Sequence, residues 1–490
     1  MRRPRAGAVG SQCHRDATYG VTLAVHSGAL RNHCCAQMLW MAAQRDLLRL
    51  TSEEARMRRE AAVEYLRGSL WAMPTVAIGV ALVAGSVLSS ITIDPDSSLA
   101  VLVFQGTADD ARNLLIGIAS TMVTVIALVL GLTVVALQLA STQFSPRLLR
   151  NFLRDLVNQL TLSSFVATFA YSTAGLYTVG ISEGQRTTSY PRLAVSGALV
   201  LLFVSMIMLI FFVHHLAHSI QIDQVMADVE HDTLHVVHHS LADGDDSAGR
   251  PTVPPRAIPL LASRSGYVQT LHLAGLVGVA ARHDAFVALV PMVGEHVIVG
   301  TPLAWAWSRA EGGSELGAEA GRALTVGLAH GVRLGFERTA EQDVAFGVRQ
   351  MADVASKALS PAVNDPYTAV QAVDHLSVIL AALATRPLGG RTVVDRNGVS
   401  RVHSPGRDWP YFIDLGLGQV RRFGHTEPRV VLALLRVVRD LGTLCPAPRR
   451  ASLHEYVRVL LDDVQRDIAQ PADCAPLLDR GNKLLSDLTR

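Results

Sequence analysis

Histidine is the residue type through which chemistry first suggests itself in this sequence. His214, His215 and His218 close a long apolar run, and His231, His235, His238 and His239 follow on a continuing helical pattern. Residues four apart share a helix face. His214 with His218, and His231 with His235, could therefore each offer two imidazoles to a metal ion, with Asp228 and Asp232 as further ligands or orienting partners. No H-E-x-x-H accompanies them, and a polar juxtamembrane helix explains the pattern with fewer assumptions. A metal-binding or pH-responsive element is the sharper alternative.

Two further groups carry charge. In the first, Gln143, Ser145, Pro146, Arg147, Arg150 and Arg154 follow another apolar run. Ser145 suits a helix cap and Pro146 the first helical position. The arginines then either anchor the chain on lipid phosphate at the inner membrane surface or ring the inner mouth of a pore, where they would favour anions. The second group is Glu341, Asp343 and Arg349 with Ser360, Pro361, Asn364, Asp365 and Pro366. Asn364 and Asp365 fit the corner between two helices, with Asp365 capping the second. Arg349, Asp353 and Lys357 read as a surface ladder worth a few tenths of a kcal/mol per pair. A Walker loop, G-x-S-x-G, paired cysteine ligands and a nucleophile with its base are all missing. The chain is therefore not expected to be an enzyme, and no cofactor is expected.

The elements that must position these groups are membrane helices. The chain has 490 residues, of which 49% are hydrophobic and only 18% charged, and its mean hydropathy is +0.28. An ordinary soluble protein is more charged. Apolar stretches at about 70–93, 114–140, 160–181 and 193–213 contain no charged side chain, and each has the ~20 residues needed to cross the hydrocarbon layer. Arg56, Arg58, Arg59 and Arg67 before the first stretch, with Arg147, Arg150 and Arg154 after the second, place both flanks in the cytoplasm. Four spans then leave both termini cytoplasmic. Small and hydroxylated residues recur in the second span (Gly117, Thr121, Thr124, Gly131) and in the third (Thr161, Ser164, Thr168, Ser172), where they permit close helix packing or line a polar path.

The run Gln143-Phe-Ser-Pro-Arg-Leu-Leu-Arg-Asn-Phe152 resembles the signature of a bacterial membrane protein family known as domain of unknown function 2254. Glu341-Gln-Asp-Val-Ala-Phe-Gly-Val-Arg-Gln350 and Ala358-Leu-Ser-Pro-Ala-Val-Asn-Asp-Pro-Tyr-Thr-Ala369 support the resemblance, which covers roughly 60–490. It implies four spans with a cytoplasmic tail and says nothing about activity.

The fold class expected is a four-helix transmembrane part followed by a cytoplasmic α+β region. Residues 1–60 read as a leader, disordered or mis-annotated, with Met38 or Met41 as starts. Then come the membrane part at 61–218, a juxtamembrane helix and linker at 219–258, a small β-rich domain at 259–340, in which 323–337 reads as strand, and a helical domain at 341–490. Within the last, Ser452 and Glu455 have the spacing of a capping box. Five scattered cysteines give no disulfide framework, and a net charge of +2 gives no support to nucleic-acid binding. The partners expected are the lipid bilayer and further copies of the chain, in a bacterial inner membrane. The leading functional expectation is an oligomeric channel regulated by its cytoplasmic part. The rival is a membrane-anchored sensor or scaffold that binds a ligand or protein. The two separate on whether the hydroxyls of the second and third spans line a shared axis or are buried inside one protomer.

Overall fold

The computed structural model describes residues 71–91, 103–143, 155–178, 191–219, 221–241, 249, 251–309 and 315–489. The expected leader at 1–60 lies outside them. Four helices open the described chain: α1 (Ala72–Ser90), α2 (Ala108–Gln143), α3 (Leu156–Thr178) and α4 (Arg192–Ser219). The second starts earlier than apolarity alone indicates. Thr107 and Asp110 cap it reciprocally, the Thr107 amide donating to Asp110 Oδ2 at 2.9 Å and the Asp110 amide to Thr107 Oγ1 at 3.2 Å. Its 36 residues span about 54 Å, well beyond the ~30 Å of hydrocarbon.

By length and hydropathy, four helices among the described residues are able to cross a membrane: Ala72–Ser90, Ala108–Leu139, Arg192–His218 and Pro366–Ala384. Three coincide with expected spans. The exchange of α3 for the helix at 366–384 has a packing reason on both sides. The polar residues that lower the hydropathy of α3 point into the bundle: Thr161, Thr168 and Ser172 are fully buried. Thr168 Oγ1 lies 2.8 Å from Ser205 Oγ of α4, and Ser164 Oγ lies 3.3 Å from the same oxygen. The helix at 366–384 reaches its hydropathy because a broad apolar face lies at the centre of a helical core. Ala369, Ala372, Val373, Leu376, Ile379, Leu380, Leu383 and Ala384 have no exposed surface.

After α4 comes α5 (Ile222–Ser240). Then β1 (Ile258–Leu261), β2 (Gly266–Leu271), α6 (Leu273–Arg282), β3 (Ala285–Leu289), β4 (His296–Val297), β5 (Pro302–Ser308), α7 (Ala318–Gly331) and β6 (Val332–Gly335) follow. The expected strand at 323–337 is thus mostly helix. Ala320, Leu324 and Leu328 fall at i, i+4, i+8 and bury one face of α7, and only its last residues become β6. Next come α8 (Val344–Ala358), α9 (Pro366–Ala384), β7 (Arg391–Val394), β8 (Ser400–Ser404) and α10 (Trp409–Ile413). A π-helical turn at Asp414–Gly418 leads to α11 (Gln419–Gly424), α12 (Pro428–Leu444), α13 (Ala447–Asp467) and α14 (Pro471–Leu488). Ser452 lies inside α13 rather than at its start. The helix begins beside Pro446, and Glu455 pairs with Arg458 instead of reaching back.

Two sheets form. One has the order β1-β5-β3-β8-β7 and the other β4-β2-β6. All pairings are antiparallel except β3 with β8, where Val287 faces Val402 and Ala288 faces His403. The hairpin 391–404 therefore carries a sheet into the stretch read as helical from sequence. Its turn, Asp395 to Gly398 with Gly398 at φ +75°, has ordinary hairpin chemistry. The buried apolar residues form three clusters: the α1–α4 bundle, the sheets with α6 and α7, and a large helical core.

The third cluster includes α5. Met226, Val229, Val236 and Val237 of this helix are buried in the helical core, and the helix begins at Ile222, shortly after α4 ends at Ser219. Gly347 of α8 makes the docking possible. A Cβ there would lie 1.9 Å from Thr233 Oγ1 of α5. Two polar clasps finish the seam: His375 Nδ1 of α9 donates to Glu230 Oε2 at 2.6 Å, and Arg386 Nη2 donates to His238 Nδ1 at 3.0 Å.

The corner between α8 and α9 is built as its sequence suggests. Asn364 takes the left-handed conformation at φ +49°, and Asp365 Oδ1 accepts from the amides of Tyr367 and Thr368 at 3.1 Å each. The Thr368 hydroxyl and then its amide hold the Asp365 carboxyl below the usual carboxylate range. Because the folded value is depressed, the cap stabilises above the ordinary carboxylate pKa and is lost as pH falls through the folded value. Asp365→Ala should cost about 1 kcal/mol. Thermal unfolding at pH 7 and pH 3 checks it: the difference between variant and wild type should shrink at the lower pH.

Candidate functional site

The sequence-flagged groups separate in space. Gln143 is the last residue of α2, and Ser145, Pro146, Arg147, Arg150 and Arg154 lie outside the described residues. His218 Nδ1 donates to the His214 carbonyl at 2.9 Å, and His239 Nδ1 to that of His235 at 2.8 Å. The rings of His235 and His239 stack with centroids 4.0 Å apart. His215 instead pairs with Asp155, whose Oδ1 accepts the Val157 amide at the start of α3. Burial and the charge of Asp228 push the Asp232 carboxyl up, with His231 and His235 pulling it back. Among the described residues no three His, Cys, Asp or Glu side chains gather as a metal ion requires.

Arg349 Nε meets Asp353 Oδ1 at 2.8 Å along α8, and Glu341 stands 3.9 Å from Arg333. Ser360, Pro361, Asn364 and Pro366 belong to the α8–α9 corner. Asp343 has a different place. It caps α8, accepting the Phe346 amide at 3.2 Å, and its side chain has no exposed surface. Arg338 donates to its Oδ2 from Nε at 3.0 Å and from Nη2 at 2.6 Å, while Arg407 Nη1 lies 3.4 Å from Oδ1. Gly294, at φ +85°, lets the preceding turn close over this carboxylate, since a Cβ there would lie 1.9 Å from Asp343 Oδ2.

The Arg407 guanidinium bridges two parts of the fold. Besides Asp343 it donates to the Val293 carbonyl at 2.8 Å, and it lies 5.2 Å from the Tyr411 ring centroid. Next to it opens a cleft of about 220 Å³, where the end of α5, the start of α8 and the ends of β7 and β8 meet. Gln342 forms one wall and is fixed by accepting the Leu271 amide at 2.9 Å. Arg391, Arg407 and His239 line the cleft, and among the described residues no carboxylate does. Ser404 also lines it; this residue is 5% exposed, and its hydroxyl has no partner among the described residues. Sequence reading flagged Asp343 from its motif. It missed Arg391, Ser404 and Arg407, which join Asp343 only through tertiary folding and carry no local signal.

The bundle, the cleft and the two motifs quoted from 341–350 and 358–369 fall within residues 67–440, which match the family described as Predicted membrane protein (DUF2254). The chain belongs to this family. Uncharacterized proteins of Mycobacterium bovis and Mycobacterium tuberculosis are each 42% identical to it over 426 residues, covering 86% of this chain and 81% of each relative. No solved structure matches. The DUF2254 match ends inside α12, so α13 and α14 lie beyond it.

Proposed function

We propose that this DUF2254 protein is a sensor of the bacterial inner membrane. In this reading α1–α4 cross the bilayer with both termini cytoplasmic, and a small ligand in the cleft is reported to the membrane helices through α5. The observation that carries it is the double attachment of α5. Its start follows α4 almost directly, its middle is buried in the helical core, and its last residues, His239 and Ser240, line the cleft. A ligand that changes how this helix is held acts on the helix leading into the bundle. The inward-facing hydroxyls of α3, bonded to Ser205 within one protomer, favour this reading over a pore along that helix.

A second reading keeps the oligomeric channel. It rests on α2, where Gly117, Ser120, Thr121, Thr124 and Gly131 are exposed along one protomer and would permit close packing of copies. Neither reading involves catalysis. The discriminating experiment measures hydrogen exchange on the full chain in nanodiscs across a panel of small anions and neutral metabolites. The sensor reading requires one ligand class to protect 388–407 together with α5 and the last turns of α4. Protection confined to the cleft, or no response at all, overturns it, and ion flux through protein-loaded liposomes would favour the channel.

A further inference from the structure

We propose that the cleft binds a tetrahedral dianionic oxyanion, either free phosphate or the phosphate group of a small monoester. This names a ligand class for the sensor reading and rests on it only for the consequence in the membrane. Charge is the first argument. Arg391 and Arg407 line the cleft, and among the described residues no carboxylate does. Of the acids beside this lining among the described residues, Asp343 is shared between Arg338 and Arg407 and sealed from solvent, and Glu295 accepts the Met292 amide at 2.9 Å, so the described lining itself keeps a positive excess.

Donor geometry is the second argument. Val344 and Ala345, the first residues of α8, line the cleft, and helix geometry leaves their amides without a carbonyl partner. The Asp343 side chain occupies the Phe346 amide, so these two N–H groups remain at the positive end of the helix dipole. Independently of the helix, Ser404, 5% exposed, lines the cleft with a hydroxyl that has no partner among the described residues and is able to donate to an acceptor oxygen there. Arg407 is held by the Val293 carbonyl and Asp343 through one nitrogen, which fixes the guanidinium while using one of its three nitrogens. Arg391 stands exposed on β7 and has no ion-pair partner among the described residues.

Size is the third argument. At about 220 Å³ the cleft falls below the usual range for drug-sized ligands, roughly 300–1,000 Å³. A phosphate with a short organic group fits this volume, and a dinucleotide does not.

Calorimetry on the full chain in nanodiscs, in phosphate-free buffer, tests the assignment with inorganic phosphate, glycerol 3-phosphate and acetate as probes. Phosphate or the monoester should bind, with acetate at least roughly tenfold weaker, since it satisfies fewer charge-assisted donors. Arg391→Gln should weaken binding about tenfold and Arg391→Lys much less. Arg391 is a surface residue, so both variants should keep wild-type melting behaviour. Ser404→Ala should weaken binding about threefold, in line with loss of one hydrogen bond. Tighter binding of the monoester would assign the site to a phosphorylated metabolite, and tighter binding of phosphate to the free ion. No binding of either at millimolar concentration, equal binding of acetate, or binding untouched by Arg391→Gln and Ser404→Ala would overturn the proposal. Phosphate binding that leaves the exchange of α4 and α5 unchanged would keep this assignment and remove the sensor reading. A neutral ligand that alone protected α5 would do the reverse.

Discussion

Asp343→Ala should be among the most damaging single changes in the part after α4, costing about 3–5 kcal/mol, because it removes the shared carboxylate from a buried charge cluster. Arg338 and Arg407 both lose the carboxylate they share, Arg407 keeping the Val293 carbonyl, and α8 loses its cap. For a unit of this size such a loss lowers Tm by roughly 10 °C. Asp343→Asn keeps an oxygen that can accept the Phe346 amide but abandons the charge, so it should fall between wild type and alanine. Differential scanning fluorimetry of the detergent-solubilised chain reads both. An Asn variant as stable as wild type would mean that capping, not ion pairing, is what the position supplies.

The second large effect should come from Gly347→Ala. Its new methyl group would overlap Thr233 of α5, and Thr233 has little room to yield, being buried with its hydroxyl on the Val229 carbonyl. Overpacking of this kind costs about 1–3 kcal/mol. The signature is local: amides of 222–240 should lose exchange protection more than those of α9 or α12. Thr233→Ala in the same chain should restore part of the loss, because its Oγ1 is the atom in closest conflict. Uniform loss of protection across all helices would argue against a specific undocking of α5.

How far the fold could be read in advance depended on whether each element states its own case. Hydropathy finds α1, α2 and α4, and Asp365 followed by Pro366 marks the start of α9. The third helix was recognisable as an apolar stretch and helix packing was one of the two readings its hydroxyls allowed, but their partner was not recognisable, because Ser205 lies on a different helix. In α7, Gly321, Gly327 and Thr325 weaken helix propensity and disguise a stripe that tertiary packing enforces. The hairpin 391–404 carried its turn signal in Asn397-Gly398 but was absorbed into a region dominated by helical patterns. The cleft was the least legible part. Only the Asp343 motif was visible, since the Leu271 amide, Arg407 and Ser404 reach it from separate stretches of chain, and no spacing rule joins them.

The parallel pairing of β3 with β8 has a consequence for biosynthesis. Everything from β4 to β7, including α8 and α9, lies between these two strands in the chain. As the protein emerges from the ribosome, β3 can find β5 at once, but its other edge stays open until Ser404 has been made. That edge presents Val287, Ala288 and Leu289, an apolar strand able to recruit the same strand of a neighbouring nascent chain. Closing so long a loop is slow relative to hairpin formation. A truncated product ending before Arg391 would keep the edge permanently, so incomplete chains should be marked for aggregation or clearance by the same geometry that, in the finished protein, fastens the sheet to the helices around it.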